Sequence, residues 1–498
     1  MKRALRWLAR ALAGVGLVLL TILFVYAFQA RRLMDLQPWQ SDPPADLTAG
    51  EMGEDFSLAQ YLQRESALFA QTRQHLTRST PADQRIAGNR YWVDSPNSQW
   101  NFRRDWNRTY ELEPVQLRGG ALLLHGLTDS PYTMRALARA LQAQGYYVLV
   151  LRLPGHGLLP AGLAEVRLAD WNAATRLGAR AVRARIGPGK PLVMVGYSNG
   201  AALVLMHQLD ALETPTLPRA DRIVLLSPMI GLTPAAGMSR FLGRLSFIPF
   251  FRKSGWTEVQ PEFNPFKYNS FPLNAAQQSY QLTRDIARSL ARLQGDSRLA
   301  RMPPILAYQS LLDSTVSTPA VVHVLFDKLP ANGSELVLFD VNQAAILRSL
   351  VTPADRGLLA TLVARRGQSY RLTMVGNATA GSRAVVARSI APGRRDITQA
   401  PIGLDYPADV FSLSHIALPF RCDDPVYGLQ PDLREDFGVR LGSLAVHGER
   451  GALVVPIDLL ARIGCNPLYP YVEAHLLTWL APLGASAPVP VPAASPSP

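Results

Sequence analysis

From Val115 onward, short apolar runs alternate with helix-like stretches, and this alternation limits the possible folds more than any other feature of the chain. The runs are ALLLHG (121–126), YYVLVLRLPG (146–155), PLVMVGYS (191–198), RIVLLSP (222–228), PILAYQS (304–310) and ELVLFDV (335–341). Between them lie the helix-like stretches Tyr132–Gln144, Trp171–Ile186 and Gly200–Leu212. Continuous apolar strands separated by helices predict an α/β fold with a mostly parallel sheet covered on both faces. In such a sheet the chemistry sits on loops at the carboxyl ends of the strands.

The alternation divides the chain. A core begins at 114–228, resumes at 303–342 and closes at 406–481. Between its first two parts, 229–302 is rich in Phe, Pro and Trp and reads as a cap. Its aromatics Phe241, Phe247, Phe250, Phe251, Trp256, Phe263, Phe266 and Phe271 would line an acyl-binding wall or form the cap's own core. The segment 343–405 carries nine arginines against three aspartates and reads as a basic insertion. Within it, YRLTMVGNAT and RAVVARSIAPG are expected to pair as a small β-ribbon. Its charge would rest on anionic lipid headgroups or simply face solvent. Upstream, 33–113 is an extension expected to lie on the core. There Phe56, Leu58, Tyr61, Leu62, Leu68 and Phe69 fall near helical spacing within 54–77. The Pro/Ala/Ser-rich stretch 482–498 reads as a disordered tail.

The net charge is +13, and six of those charges fall within the first 32 residues, which contain no acid. They flank Ala11–Phe28, an uncharged apolar run at the lower limit for a membrane-spanning helix. Four positive charges precede the run and two follow. This bias predicts a signal-anchor within 1–32, with the remaining chain outside the cytoplasm. In a bacterium the domain would face the periplasm. The rival reading is a cleaved signal peptide ending near Val25-Tyr26-Ala27, giving a secreted protein. The residual +7 is dispersed, with no aromatic-interleaved basic stripe and no zinc spacing, so nucleic acid is not an expected partner. The two cysteines, Cys422 and Cys465, would either pair in an oxidising compartment or stand as separate thiols.

The strongest chemical signal is Gly196-Tyr197-Ser198-Asn199-Gly200, a G-x-S-x-G sequence between the strand PLVMV and the helical stretch AALVLMHQL. That strand–turn–helix setting is the nucleophile elbow, in which small residues at 196 and 200 let strand and helix approach. Upstream, His125-Gly126-Leu127 ends the strand ALLL. Its loop and the elbow would supply an oxyanion hole from the backbone N–H groups of Leu127 and Asn199. His125 reads as support for that loop.

A serine nucleophile needs a base, and the expected chain order is Ser, acid, His. Of the downstream histidines, His207 lies in the helix leaving the elbow, His323 reads as a core position, and His475 falls in a C-terminal helix. His415, in the loop FSLSHIALPF, is the expected base, with His447 the runner-up. Asp313, after the strand ILAYQS, is the expected orienting acid, with Asp327 and Asp340 as alternatives.

Together LLLHGLTDSP, LRLPGHG, ADW, GYSNGA, LLDSTV and SHIALP resemble the α/β-hydrolase superfamily. Within it the resemblance is to the monoacylglycerol lipase-like and serine aminopeptidase-like branch of lysophospholipase type. It covers about 115–342 and 406–480. It implies a Ser198–Asp313–His415 triad, a cap between Ser227 and Pro304, a structural His156, and neither metal nor cofactor. The expected activity is hydrolysis of a small-molecule carboxylic ester derived from an acyl lipid. The alternatives are an amidase or peptidase using the same triad, and a membrane-tethered scaffold without turnover.

Overall fold

The computed structural model describes residues 32–231, 253–342 (except 296, 312, 314, 315 and 341), 367–407, 413–442 and 464–483. It also describes scattered positions between 6 and 28 and between 361 and 364. Most of the apolar run 11–28, the cap aromatics Phe241, Phe247, Phe250 and Phe251, His447 and nearly all of the tail lie outside the described residues. Among the described residues no helix is long and apolar enough to cross a membrane.

The strands are β1 (Tyr110–Leu112), β2 (Gly119–Leu124), β3 (Tyr146–Leu151), β4 (Leu192–Tyr197), β5 (Arg222–Leu226), β6 (Trp256–Glu258), β7 (Phe271–Pro272), β8 (Ile305–Ser310), β9 (Glu335–Phe339), β10 (Arg371–Asn377), β11 (Ala384–Ile390) and β12 (Ile397–Asp405). Ten form one sheet in the order β1-β3-β2-β4-β5-β8-β9-β10-β11-β12, while β6 and β7 pair separately. From β3 to β10 all neighbours are parallel. Among the described strands β1 at one end and β11 near the other are reversed, and β12, antiparallel to β11, returns to the direction of the parallel strands.

Every residue of β2, β3, β4 and β8 is buried, as continuous apolar strands require. Leu122 and Leu124 face a core shared with α3 (Leu168–Ile186), α4 (Asn199–Glu213) and α5 (Leu273–Gln294). Ala121 and Leu123 face the opposite core, with α2 (Arg135–Ala143) and α6 (Tyr469–Leu480). The two-residue period of a strand thus divides one apolar run between two cores.

The extension contributes α1 (Leu58–Ser79), started by a capping box between Ser57 and Gln60. Tyr61, Leu68, Phe69 and Leu76 are buried along one face, with Leu62 half-buried. The extension is also tied to the core by charge. The fully buried Arg152 of LRLPGHG donates two 2.8 Å hydrogen bonds to Asp46 and one of 2.9 Å to Glu65 on α1. Two acids from outside the core thus neutralise a guanidinium inside it, as a buried charge requires.

The segment expected as an insertion needs correction. Its strands do pair as a ribbon, but β10 also runs parallel to β9, so the ribbon extends the central sheet. Without β10 the edge of β9 would be an open row of N–H and C=O groups, and Leu372 and Val375 are buried in closing it. Two of the arginines serve this edge internally: Arg383 donates to the Tyr406 carbonyl, and Arg388 to the carbonyls of Asn377 and Ala378. Cys422 and Cys465 are joined in a disulfide, which resolves the two readings of the pair.

Candidate active site

The switch in strand order brings the site together. The connection from β2 leads to β3 on one side, while β4 pairs with β2 on the other, with Leu124 opposite Gly196. The loop after β2 and the turn after β4 therefore emerge side by side at the carboxyl edge, where such sheets bind ligands.

Ser198 occupies the turn between β4 and α4 with φ 53° and ψ −113°, an unfavourable conformation for a residue with a side chain. Its N–H donates to Leu226 O at 2.9 Å, and its carbonyl accepts from Ala202 and Met229 at 3.2 Å. The approach of strand and helix is close. A Cβ on Gly196 would lie 2.4 Å from the Ala201 backbone, and one on Gly200 would lie 2.3 Å from Leu124 O.

His415 and Asp313 meet Ser198. His415 Nδ1 lies 2.8 Å from Asp313 Oδ2, and its Nε2 lies 3.0 Å from Ser198 Oγ. A carboxylate only accepts, so Nδ1–H donates to Asp313, leaving Nε2 of the neutral ring to accept from the serine hydroxyl. Other contacts hold both partners. Asp313 accepts from the Gln309 side chain at 3.1 Å and the Val316 N–H at 3.0 Å. The Tyr197 hydroxyl donates to the His415 carbonyl at 3.2 Å, and the ring of His415 is 8% exposed.

His125 is buried in the loop beneath. Its Nδ1 donates to Gly126 O at 2.9 Å, and its Nε2 accepts the Leu153 N–H at 3.1 Å. Burial, reinforced by neighbouring His156, holds its pKa well below the usual imidazole value. His156 is pushed down to about 3, chiefly by burial. Both rings are therefore neutral supports. Among the described residues, neither Leu127 N–H nor Asn199 N–H has a hydrogen-bond acceptor. The Asn199 side chain is buried and accepts from Ser279 of α5 at 3.5 Å.

The other histidines lie elsewhere. His207 contacts the Pro218 carbonyl, and His475 contacts the Tyr308 hydroxyl at 2.8 Å. His323 is corrected from a core position: it is exposed and lies 3.0 Å from Asp327. Of the described cap aromatics, Trp256 and Phe266 are buried, and Phe263 and Phe271 are half-buried. Phe266 stacks on Tyr132 with ring centroids 3.8 Å apart. Sequence reasoning missed Tyr197, Gln309 and a part-buried ion pair, Asp129 with Lys267, beside the loop of Gly126 and Leu127. The sole local signal was the position of Asp129 in LLLHGLTDSP.

Among the described residues no cluster of His, Cys, Asp or Glu has the arrangement of a metal site. The fold and the serine on its strand–helix turn define an α/β hydrolase. The alpha/beta hydrolase family profile matches residues 121–371, half of the chain, and the chain belongs to this family. A thermostable monoacylglycerol lipase from Bacillus sp. (strain H-257) is 26% identical over 221 residues, covering 44% of this chain and 79% of that protein. Two solved structures are also similar. A soluble variant of monoglyceride lipase from Saccharomyces cerevisiae is 14% identical, covering 47% of this chain and 81% of its own, at TM-score 0.34. The Paleococcus ferrophilus monoacylglycerol lipase is 17% identical, covering 47% and 88%, at TM-score 0.35.

Proposed function

We propose that this chain is a serine esterase acting on an acyl-lipid ester, with Ser198 as nucleophile, His415 as base and Asp313 as the orienting acid. The observation that carries the reading is the continuous contact from Ser198 Oγ to His415 Nε2 and from His415 Nδ1 to Asp313 Oδ2. In this reading Ser198 Oγ attacks the ester carbonyl carbon as His415 Nε2 takes its proton. Asp313 steadies the imidazolium. The tetrahedral oxyanion faces the Leu127 and Asn199 N–H groups. Collapse breaks the bond to the alcohol oxygen, which leaves with the proton from His415. Water, deprotonated by the same histidine, then releases the acid and regenerates Ser198.

Monoacylglycerol is the first substrate to try, because the relative matched over 221 residues is a monoacylglycerol lipase. The N-terminal apolar run serves in this reading as a membrane anchor that holds the domain outside the cytoplasm. The Cys422–Cys465 disulfide supports that placement, since such bonds persist in oxidising compartments.

The test is a panel of p-nitrophenyl esters and 1-monoacylglycerols of graded chain length, run beside matched p-nitroanilides. Esters turned over, with a chain-length optimum and no comparable anilide cleavage, is the expected result. Cleavage of anilides alone would make the chain an amidase. No turnover by a folded protein would leave the scaffold reading.

A further inference from the structure

The loop that would supply the Leu127 N–H is not held by the core alone. Thr128, the next residue, adopts a left-handed backbone with φ 66°. A β-branched residue is strained in that conformation and persists there only where its surroundings enforce it. Two adjacent residues between β5 and β8 do so. The Tyr268 N–H donates to Thr128 O at 2.8 Å, and Lys267 Nζ donates to Asp129 Oδ1 at 2.9 Å. The Asp129 side chain is 6% exposed and that of Lys267 17%. The other Asp129 oxygen lies only 2.6 Å from where a Cβ on Gly126 would be, so the carboxylate fills the space left open by the glycine before Leu127.

The turn that carries Lys267 is braced in its own right. Buried Arg90 of the N-terminal extension donates to the carbonyls of Asn264 at 2.8 Å and Lys267 at 3.3 Å. A chain of contacts therefore runs from the extension, through the cap segment, to the loop beside Ser198.

We propose that Lys267 and Asp129 are a positioning pair that fixes the Leu127 N–H where the oxyanion forms, so that the cap segment completes the oxyanion hole. The inference rests on the esterase reading above. Neither side chain is required to touch substrate. Loss of one oxyanion donor costs roughly a hundred- to a thousandfold in turnover, and a displaced donor some fraction of that.

Lys267→Met and Lys267→Arg are compared with the wild-type full chain on p-nitrophenyl butyrate. A short-chain trifluoromethyl ketone, whose adduct with serine carries an oxyanion, is the second probe. Lys267→Met should lower kcat roughly ten- to a hundredfold with KM within about twofold, raise the ketone Ki in parallel, and be largely rescued in Lys267→Arg. If Lys267→Met does not fold, the double variant Asp129→Asn/Lys267→Gln removes both charges together and is read in the same way. A folded variant with unchanged kcat and Ki would overturn the positioning role. A rise in KM alone would do the same, assigning Lys267 to substrate binding. A wild-type protein that neither hydrolyses the ester nor binds the ketone would instead sink the esterase reading.

Discussion

Ser198, His415 and Asp313 lie far apart in sequence, yet two hydrogen bonds of 3.0 and 2.8 Å link them. Asp313→Asn would turn an amide toward Nδ1 and favour the wrong imidazole tautomer. We expect kcat to fall by about four orders of magnitude with the thermal midpoint little changed, measured by esterase assay and calorimetry. Gly200→Ala acts through packing, because its Cβ would sit 2.3 Å from Leu124 O. It should destabilise the fold by about 1–3 kcal/mol or more and abolish activity, as denaturant titration and assay will show. Ser198 and Gly200 were legible in sequence because a nucleophile elbow is local, written in five consecutive residues between a strand and a helix, whereas Asp313 and His415 were read only from the chain order Ser, acid, His. Thr128 was not, because nothing in a threonine announces a left-handed backbone. Lys267 was not either, since it reaches Asp129 across 138 residues.

Among the elements, the extension has the least legible role. Its helix was readable from the spacing of Tyr61, Leu68 and Phe69, but its purpose depends on Arg152, which the sequence shows only as one arginine in an apolar run. Burial raises the Asp46 pKa, but the Arg152 charge and hydrogen bonds, with the Gly155 and Leu47 N–H groups, outweigh it and hold the pKa below the usual carboxylate value. Because the folded-state value is the lower one, Asp46 stabilises the fold above its unfolded pKa of about 3.9, and this is lost as pH falls through the folded value. Asp46→Asn should cost about 3–5 kcal/mol at neutral pH by leaving Arg152 short of a partner. Its thermal midpoint should also fall less steeply than that of the wild type below about pH 4. The ribbon β10–β12 shows a different limit. Its strand character was legible, but its attachment to β9 was not, because strand pairing is set by distant partners.

Across the whole molecule, the disulfide links the loop after His415 to the start of the last helix, closing a 43-residue separation. Chain entropy alone assigns such a closure roughly 4 kcal/mol. Cys422→Ser/Cys465→Ser should lower the denaturation midpoint accordingly, and the wild type should show no free thiol until it is reduced. The fold class was legible because buried parallel strands and helices write distinct patterns. The cysteine pairing was not, since composition cannot say whether two thiols meet. An activated nucleophile at Ser198 underlies the whole of the proposed chemistry. The direct test treats the folded chain with a fluorophosphonate and locates the label by peptide mass spectrometry, beside Ser198→Ala and His415→Ala. Labelling at Ser198 that vanishes in both variants is the predicted result. Labelling at another residue, or none on a folded wild-type protein, would contradict a nucleophilic Ser198.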